Sequence, residues 1–180
     1  MNEAGWIRNM LECLKNSVDE IIAVDEYSTD GTREILQEYG AKIIDGRLNN
    51  DWGSLRNISI SNATMEWILI IDPDEMMEPL LHKVLKTREL LDYCEDTGFD
   101  AVVMKRKNII NEVFQHYTYP DLTIRLFKNN GNILFSGLMH EQVSGYVNRF
   151  ESNYHIIHKK TSAQQTKQSK RYQEIINNRG

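Results

Sequence analysis

No stretch of this sequence approaches the roughly 18 to 20 uninterrupted apolar residues that a membrane-crossing helix needs. Its first residues also lack the basic-then-apolar layout of a secretory leader. These absences set the expectation of a cytoplasmic chain. Cysteine is scarce: Cys13 and Cys94 stand far apart, without the close pairing of a zinc site or a redox motif, and both are expected to be reduced. An excess of positive charge is missing too. With 21 basic and 26 acidic residues the net charge is -5, which makes no overall case for nucleic acid. No repeat, low-complexity linker or convincing domain boundary interrupts the 180 residues, 41% of them hydrophobic, a length sufficient for one sizeable core. The expected organisation is a single domain over 1–160 and a polar, basic helix or tail over 161–180. From Lys159 onward six basic residues (Lys159, Lys160, Lys167, Lys170, Arg171, Arg179) face one acid, Glu174. A solvated terminal helix is the expectation there, and peripheral contact with an anionic membrane surface is the other use such a tail offers.

What is present is alternation. Trp6 to Lys15 places Trp6, Ile7, Met10, Leu11 and Leu14 on one helical face, and Glu20 to Asp25 is a short β-branched run of the kind covered on both faces in a parallel sheet. A turn rich in small polar residues, Tyr27 to Thr32, leads into helical character over Arg33 to Tyr39, stopped by Gly40. Then follow a strand at Ala41 to Ile44, a helix at Asn57 to Ala63 and the most apolar strand at Glu66 to Asp72, ended by Pro73. Pro79 to Tyr93 reads as one helix with an apolar face. This order predicts an α/β fold with a mostly parallel sheet and helices on both faces. Beyond Gly98, strand-like pieces at Asp100 to Lys105, Leu122 to Lys128 and Ile133 to Ser136 predict a more antiparallel second half, with Asn129-Asn-Gly131 as a hairpin between the last two.

In open α/β sheets ligands bind beyond the carboxyl ends of strands, which singles out Asp25 and the run Asp72-Pro-Asp-Glu75. If the chain stays extended, residues two apart point the same way and the Asp72 and Asp74 carboxylates converge on one cation. Hard oxygen ligands suit Mg2+ or Mn2+, ions that keep positions open for substrate phosphates. Acid-x-acid is itself a frequent pattern, and its place at the end of an apolar strand supplies the specificity. Glu75 equally suits a cap on the following helix. A transfer reaction also needs a proton acceptor, for which Glu141, beside His140, is the candidate and Asp121 the reserve. The competing reading makes Glu141 a helix-start acid. His155 and His158, three apart on a strand, point to opposite faces and do not chelate one ion together.

The runs Asn2-Glu3, Asp19 to Asp25, Ser28 to Thr32, Asp51-Trp52 with Arg56-Asn57, and Trp67 to Glu75 together resemble the family 2 glycosyltransferases with the GT-A fold. Arg125-Leu-Phe127 and Phe135 to Glu141 are similar to the later signature of a bacterial subgroup acting on surface polysaccharides. The resemblance implies transfer of a sugar from a nucleotide-diphosphate donor, expected to be a uridine one, to a saccharide or lipid-linked acceptor, with inversion. It implies a nucleotide site with Asp25 at the base, Glu3, Ser28 and Asp30 shaping the pocket, and Arg56 and Asp72 toward the diphosphate. It further implies a metal held by Asp72 and Asp74, with the late His158 joining them. The family sheet normally begins with an apolar strand running into the Asn-Glu pair, whereas here Asn2 directly follows Met1. The expectation is that this strand is missing, which keeps open the alternative of an inactive remnant binding nucleotide or a partner.

Overall fold

The structure, a computed structural model, describes residues 1–47, 51–137 and 141–177. Helix α1 (Ala4–Leu14) buries Ile7, Met10, Leu11 and Leu14, the single stripe that its spacing dictates. Strand β1 (Ile22–Asp25) pairs in parallel with β2 (Lys42–Asp45), and α2 (Thr32–Glu38) makes the crossover. Gly31 precedes α2 at φ +93, a backbone that side chains rarely adopt. Helix α3 (Trp52–Asn62) is capped by Asp51, whose carboxylate accepts the Ser54 N–H at 2.9 Å.

The larger sheet runs in the order β3 (Trp67–Leu69), β7 (Asp121–Lys128), β5 (Ala101–Ile110), β10 (Arg149–Lys160), β4 (Glu75–Met77), with the short β6 (Val113–Phe114) added to β5. A separate ribbon pairs β8 (Leu134–Ser136) with β9 (Gln142–Ser144). Adjacent residues of one strand serve different layers, as the period of two requires. Val102 and Leu126 join Leu11, Leu81 and Ile156 in one cluster, which α4 (Pro79–Lys86) and α5 (Glu89–Thr97) complete. Ala101 and Phe127 join Ile60 of α3, Ile133 and Phe135 in the other. Helices therefore cover both faces, as expected, and α6 (Ser162–Asn177) follows β10 as a polar terminal helix. Cys13 and Cys94 are both free.

Several expectations need correction. The sheet is mixed: only β1–β2 and β5–β10 run parallel among the described residues, and the other ladders are antiparallel. Asn129-Asn-Gly131 is no hairpin, because β7 and β8 lie in different sheets. The Asn129 side chain donates to the carbonyls of Ala63 and Met65, and Asn130 accepts the N–H groups of Asn132 and Ile133, so the chain is led away rather than reversed. The expected helix over Pro79 to Tyr93 is broken at Arg88, which takes the left-handed φ of 60 ahead of α5.

The sheet is also divided where the family's first strand was expected to be absent. Among the described residues β1 pairs only with β2 and β3 only with β7, leaving two open edges. A groove of about 260 Å³ lies there, lined by Val18, Ile22, Ile68, Leu69 and Leu126 among others. Glu20 also lines it, its carboxylate accepting the Thr64 hydroxyl at 2.7 Å and the Thr64 N–H at 3.1 Å. The apolar residues Ile22, Ala23 and Val24 are consequently half-buried rather than covered on both faces.

Leu81 is fully buried and Leu80 is 57% exposed. Leu81→Ala should cost about 2–5 kcal/mol in urea unfolding through lost transfer energy and a residual cavity. Leu80→Ala should stay within about 0.5 kcal/mol.

Candidate functional site

The amino-terminal segment is laced to the loop after β1. The backbone N–H groups of Asn2, Glu3 and Ala4 donate to Ser28 Oγ, Thr32 Oγ1 and Asp30 Oδ2 at 2.9, 2.9 and 3.0 Å. Asp25, 4% exposed, accepts the N–H and hydroxyl of Ser28 and pairs with Arg33 Nη1 at 3.0 Å. Burial opposes its charge, and the Ser28 and Arg33 contacts outweigh that, holding its carboxyl below the usual 3.8. Its immediate work is to brace the loop. Burial raises the Glu3 carboxyl, and the nearby charge of Asp74 acts in the same direction, which ties this first group to the next.

The second group is a chain of alternating charges. Arg56, on α3, grips both carboxylate oxygens of Asp72 at 2.7 and 3.0 Å, and its Nε donates to Glu141 at 2.8 Å. Its guanidinium also lies over the Phe135 ring, 5.3 Å from the centroid. Arg125, almost wholly buried on β7, reaches Asp72 at 2.9 Å and Glu75 at 2.6 Å. Arg106, on β5, meets Glu75 at 3.4 Å and Asp121 at 2.8 Å. The Asp72 carboxyl stands well below its ordinary 3.8: burial pushes it up, and Arg56 and then Arg125 overcome that.

The run Asp72-Pro73-Asp74-Glu75 is not extended, which corrects the expected convergence. Glu75 N–H donates to the Asp72 carbonyl at 2.9 Å, closing a turn, and Asp72 N–H donates back to the Glu75 carboxylate at 3.0 Å. Glu75 is fully buried at the start of β4 and does not cap α4. The turn sends Asp74 to different partners: His158 Nε2 at 3.3 Å and Lys160 Nζ at 3.8 Å from its Oδ2. His158 Nδ1 faces Asn108 Oδ1 at 2.7 Å, while Asn108 Nδ2 donates to Asp121 at 2.9 Å. With Asn108 so oriented, a neutral His158 is protonated at Nδ1, and its Nε2 lone pair opposes a carboxylate oxygen. Among the described residues no group of three or more potential metal ligands assembles, so the expected joining of Asp72, Asp74 and His158 around one ion is not seen. His155 lies apart, against Glu78 and Tyr119, as strand geometry foretold.

The strand residues around this second group stand in register across the larger sheet. Glu75 stands opposite His158, His158 opposite Asn108, and Arg106 opposite Asp121 in successive ladders. A profile of family 2 glycosyl transferases matches residues 1–157. The chain belongs to glycosyl transferase family 2. Among relatives, glycosyltransferase SunS of Bacillus phage SPbeta is 31% identical over 85% of this chain and 35% of its own length. A TPR repeat-containing protein of Synechococcus elongatus is 34% identical over 79% of this chain and 33% of its own. The chain thus spans about a third of the length of these relatives. The crystal structure of Staphylococcus aureus TarS 1-349 in complex with UDP-GlcNAc shares the fold with a TM-score of 0.65 at 16% identity, covering 88% of this chain and 56% of that one.

In this family 2 chain, the structure gathers Arg56, Asp72, Glu141 and Asp121 into one network and places Glu3, Asp25, Ser28 and Asp30 at the neighbouring loop. Glu141 precedes β9, not a helix, and His140 lies outside the described residues. Sequence reasoning assigned no role to Arg106, Asn108 or Arg125; Arg125 alternates with apolar residues in β7, whereas Arg106 and Asn108 lie in the unbroken polar run Lys105 to Asn108 of β5, where periodicity gives no cue.

Because the Asp72 pKa is lower folded than unfolded, its stabilising contribution is present above the ordinary carboxylate range and lost as pH falls through the folded value. Carbon-13 NMR titration should find Asp72 charged well below pH 3.8. Arg125→Met should raise its midpoint, because one of the two cations that hold the carboxylate is lost.

Proposed function

We propose that this chain transfers a sugar from a uridine-diphosphate donor to a hydroxyl of a saccharide or lipid-linked acceptor, with inversion. The observation that carries the reading is the meeting, at the end of β3, of Arg56 held on Asp72 with the opposed pair Asp74 and His158. Family membership and the likeness to TarS, whose crystal structures are in complex with UDP-GlcNAc and with UDP, support it. Asp25 binds the base from the end of β1, with Glu3 at the start of α1 and Ser28 and Asp30 on the loop after β1 shaping the same pocket. Arg56 faces the diphosphate. Asp74 and His158 would hold Mn2+ or Mg2+, which when bound offsets charge on the leaving diphosphate.

In the reaction the acceptor oxygen attacks the anomeric carbon, the bond to the diphosphate breaks, and the acceptor proton passes to a carboxylate. Glu141 is the first choice for that base and Asp121 the second. A diphosphate competing for Arg56 would release Glu141 from its ion pair, whereas Asp121 keeps both Arg106 and Asn108. The domain extends to about 160, with α6 as a solvated helix. A second reading, nucleotide binding without turnover, is favoured by the division between β1 and β3.

Calorimetric titration of UDP with Mn2+ should show binding to the wild type and at least about tenfold weaker binding to Asp74→Ala. Equal binding by both would refute the metal role. Donor hydrolysis or transfer by the purified chain separates turnover from binding alone. Of Glu141→Gln and Asp121→Asn, the variant that loses about 100-fold in transfer while still binding UDP identifies the base.

A further inference from the structure

Glu75 is out of contact with solvent, sits at none of the reacting positions assigned above, and makes four polar contacts, three of them through its carboxylate. Its Oε1 receives Arg125 and Arg106, its Oε2 receives the Asp72 N–H, and its own N–H returns to the Asp72 carbonyl. Burying such a group is costly even when paired, and apolar replacement of a whole buried ion cluster is often neutral or stabilising. Stability alone is therefore a weak reason for this arrangement.

We propose that Glu75 is a positioning residue for the donor site, an inference that rests on the function proposed above. The reciprocal bonds between Glu75 and Asp72 set the turn that separates the two acids. Asp72 is thereby turned toward Arg56, while Asp74 is turned toward His158 and Lys160. Arg125 bridges the two carboxylates, meeting the same Asp72 Oδ2 that Arg56 Nη2 reaches. Arg106 extends the same clamp to Asp121, so one buried carboxylate ties the donor end of the site to an acid on its acceptor side. The Nε of Arg125 is buried with no hydrogen-bond partner among the described residues, so this guanidinium spends a donor to reach both acids through a single nitrogen, Nη2. Such a compromise is what a requirement for the position of Asp72, rather than for the best satisfaction of Arg125, produces.

Glu75→Gln keeps the size of the side chain and removes its charge. Measured at a temperature where each protein is folded by circular dichroism, UDP with Mn2+ should bind Glu75→Gln about tenfold more weakly than wild type. The double variant Glu75→Gln/Arg125→Met, which discharges both buried partners, should regain thermal stability relative to Glu75→Gln without regaining donor affinity. This double variant also serves if Glu75→Gln alone does not fold. A purely structural role would instead restore affinity and stability together, and that result, or wild-type affinity in folded Glu75→Gln, overturns the inference. Absence of UDP binding by the wild type is a different failure, since it overturns the proposed function on which the inference rests.

Discussion

A carboxylate buried completely inside a protein needs partners for both oxygens, and Glu75 finds them in Arg125, Arg106 and the backbone of Asp72. The rest of the site depends on this clamp. It closes the Asp72 to Glu75 turn, and the turn decides that Asp72 meets Arg56 while Asp74 meets His158. The three arginines come from α3, β7 and β5, so the clamp draws together elements that have no local reason to meet. Opposite charges alternate from Glu141 to Asp121, which lets several acids share a small volume without mutual repulsion deciding their state.

The divided sheet places the two halves of the site on two frames. The small parallel pair β1–β2 carries Asp25 and the Ser28 to Thr32 loop, while the larger sheet carries the charged network. The groove between them has apolar walls and two open edges, an arrangement that leaves β1 only half covered. The first residues act as a strap: Asn2, Glu3 and Ala4 are tied by their backbone to the loop, and α1 buries its apolar stripe in the core that the larger sheet also shares. The geometry between the loop after β1 and the charged network accordingly depends on helix packing and side-chain ties rather than on one continuous ladder.

Much of the local structure was legible because its causes are local. The stripe of α1 and the short β-branched run of β1 follow from periodicity and from residues that stop an element, as does the apolar strand before Asp72, although β3 ends at Leu69 rather than at Asp72. Failures occurred where distant groups decide. Asn129-Asn-Gly131 has strong hairpin chemistry, yet its asparagine side chains find the carbonyls of Ala63 and Met65, and the next strand joins another partner. The apolar face over Pro79 to Tyr93 continues across Arg88, so periodicity could not see the left-handed break there. Likewise an extended Asp72 to Asp74 was a fair reading of alternate residues, and Glu75 overrode it from inside the turn.

By itself the sequence determined the alternation of helices and strands, the acids at the strand ends and, through the order of its motifs, membership of glycosyl transferase family 2. Tertiary structure alone decided which arginine each acid meets, that the sheet is mixed and divided, and that Asp74 and His158 stand together while His155 stands apart. The physical reason is one of range. Periodicity and turn preference act over a few residues, whereas Glu141 and Arg56, or Asp72 and Arg125, are 85 and 53 positions apart and are joined only when the packed faces of the sheet bring them to hydrogen-bond distance.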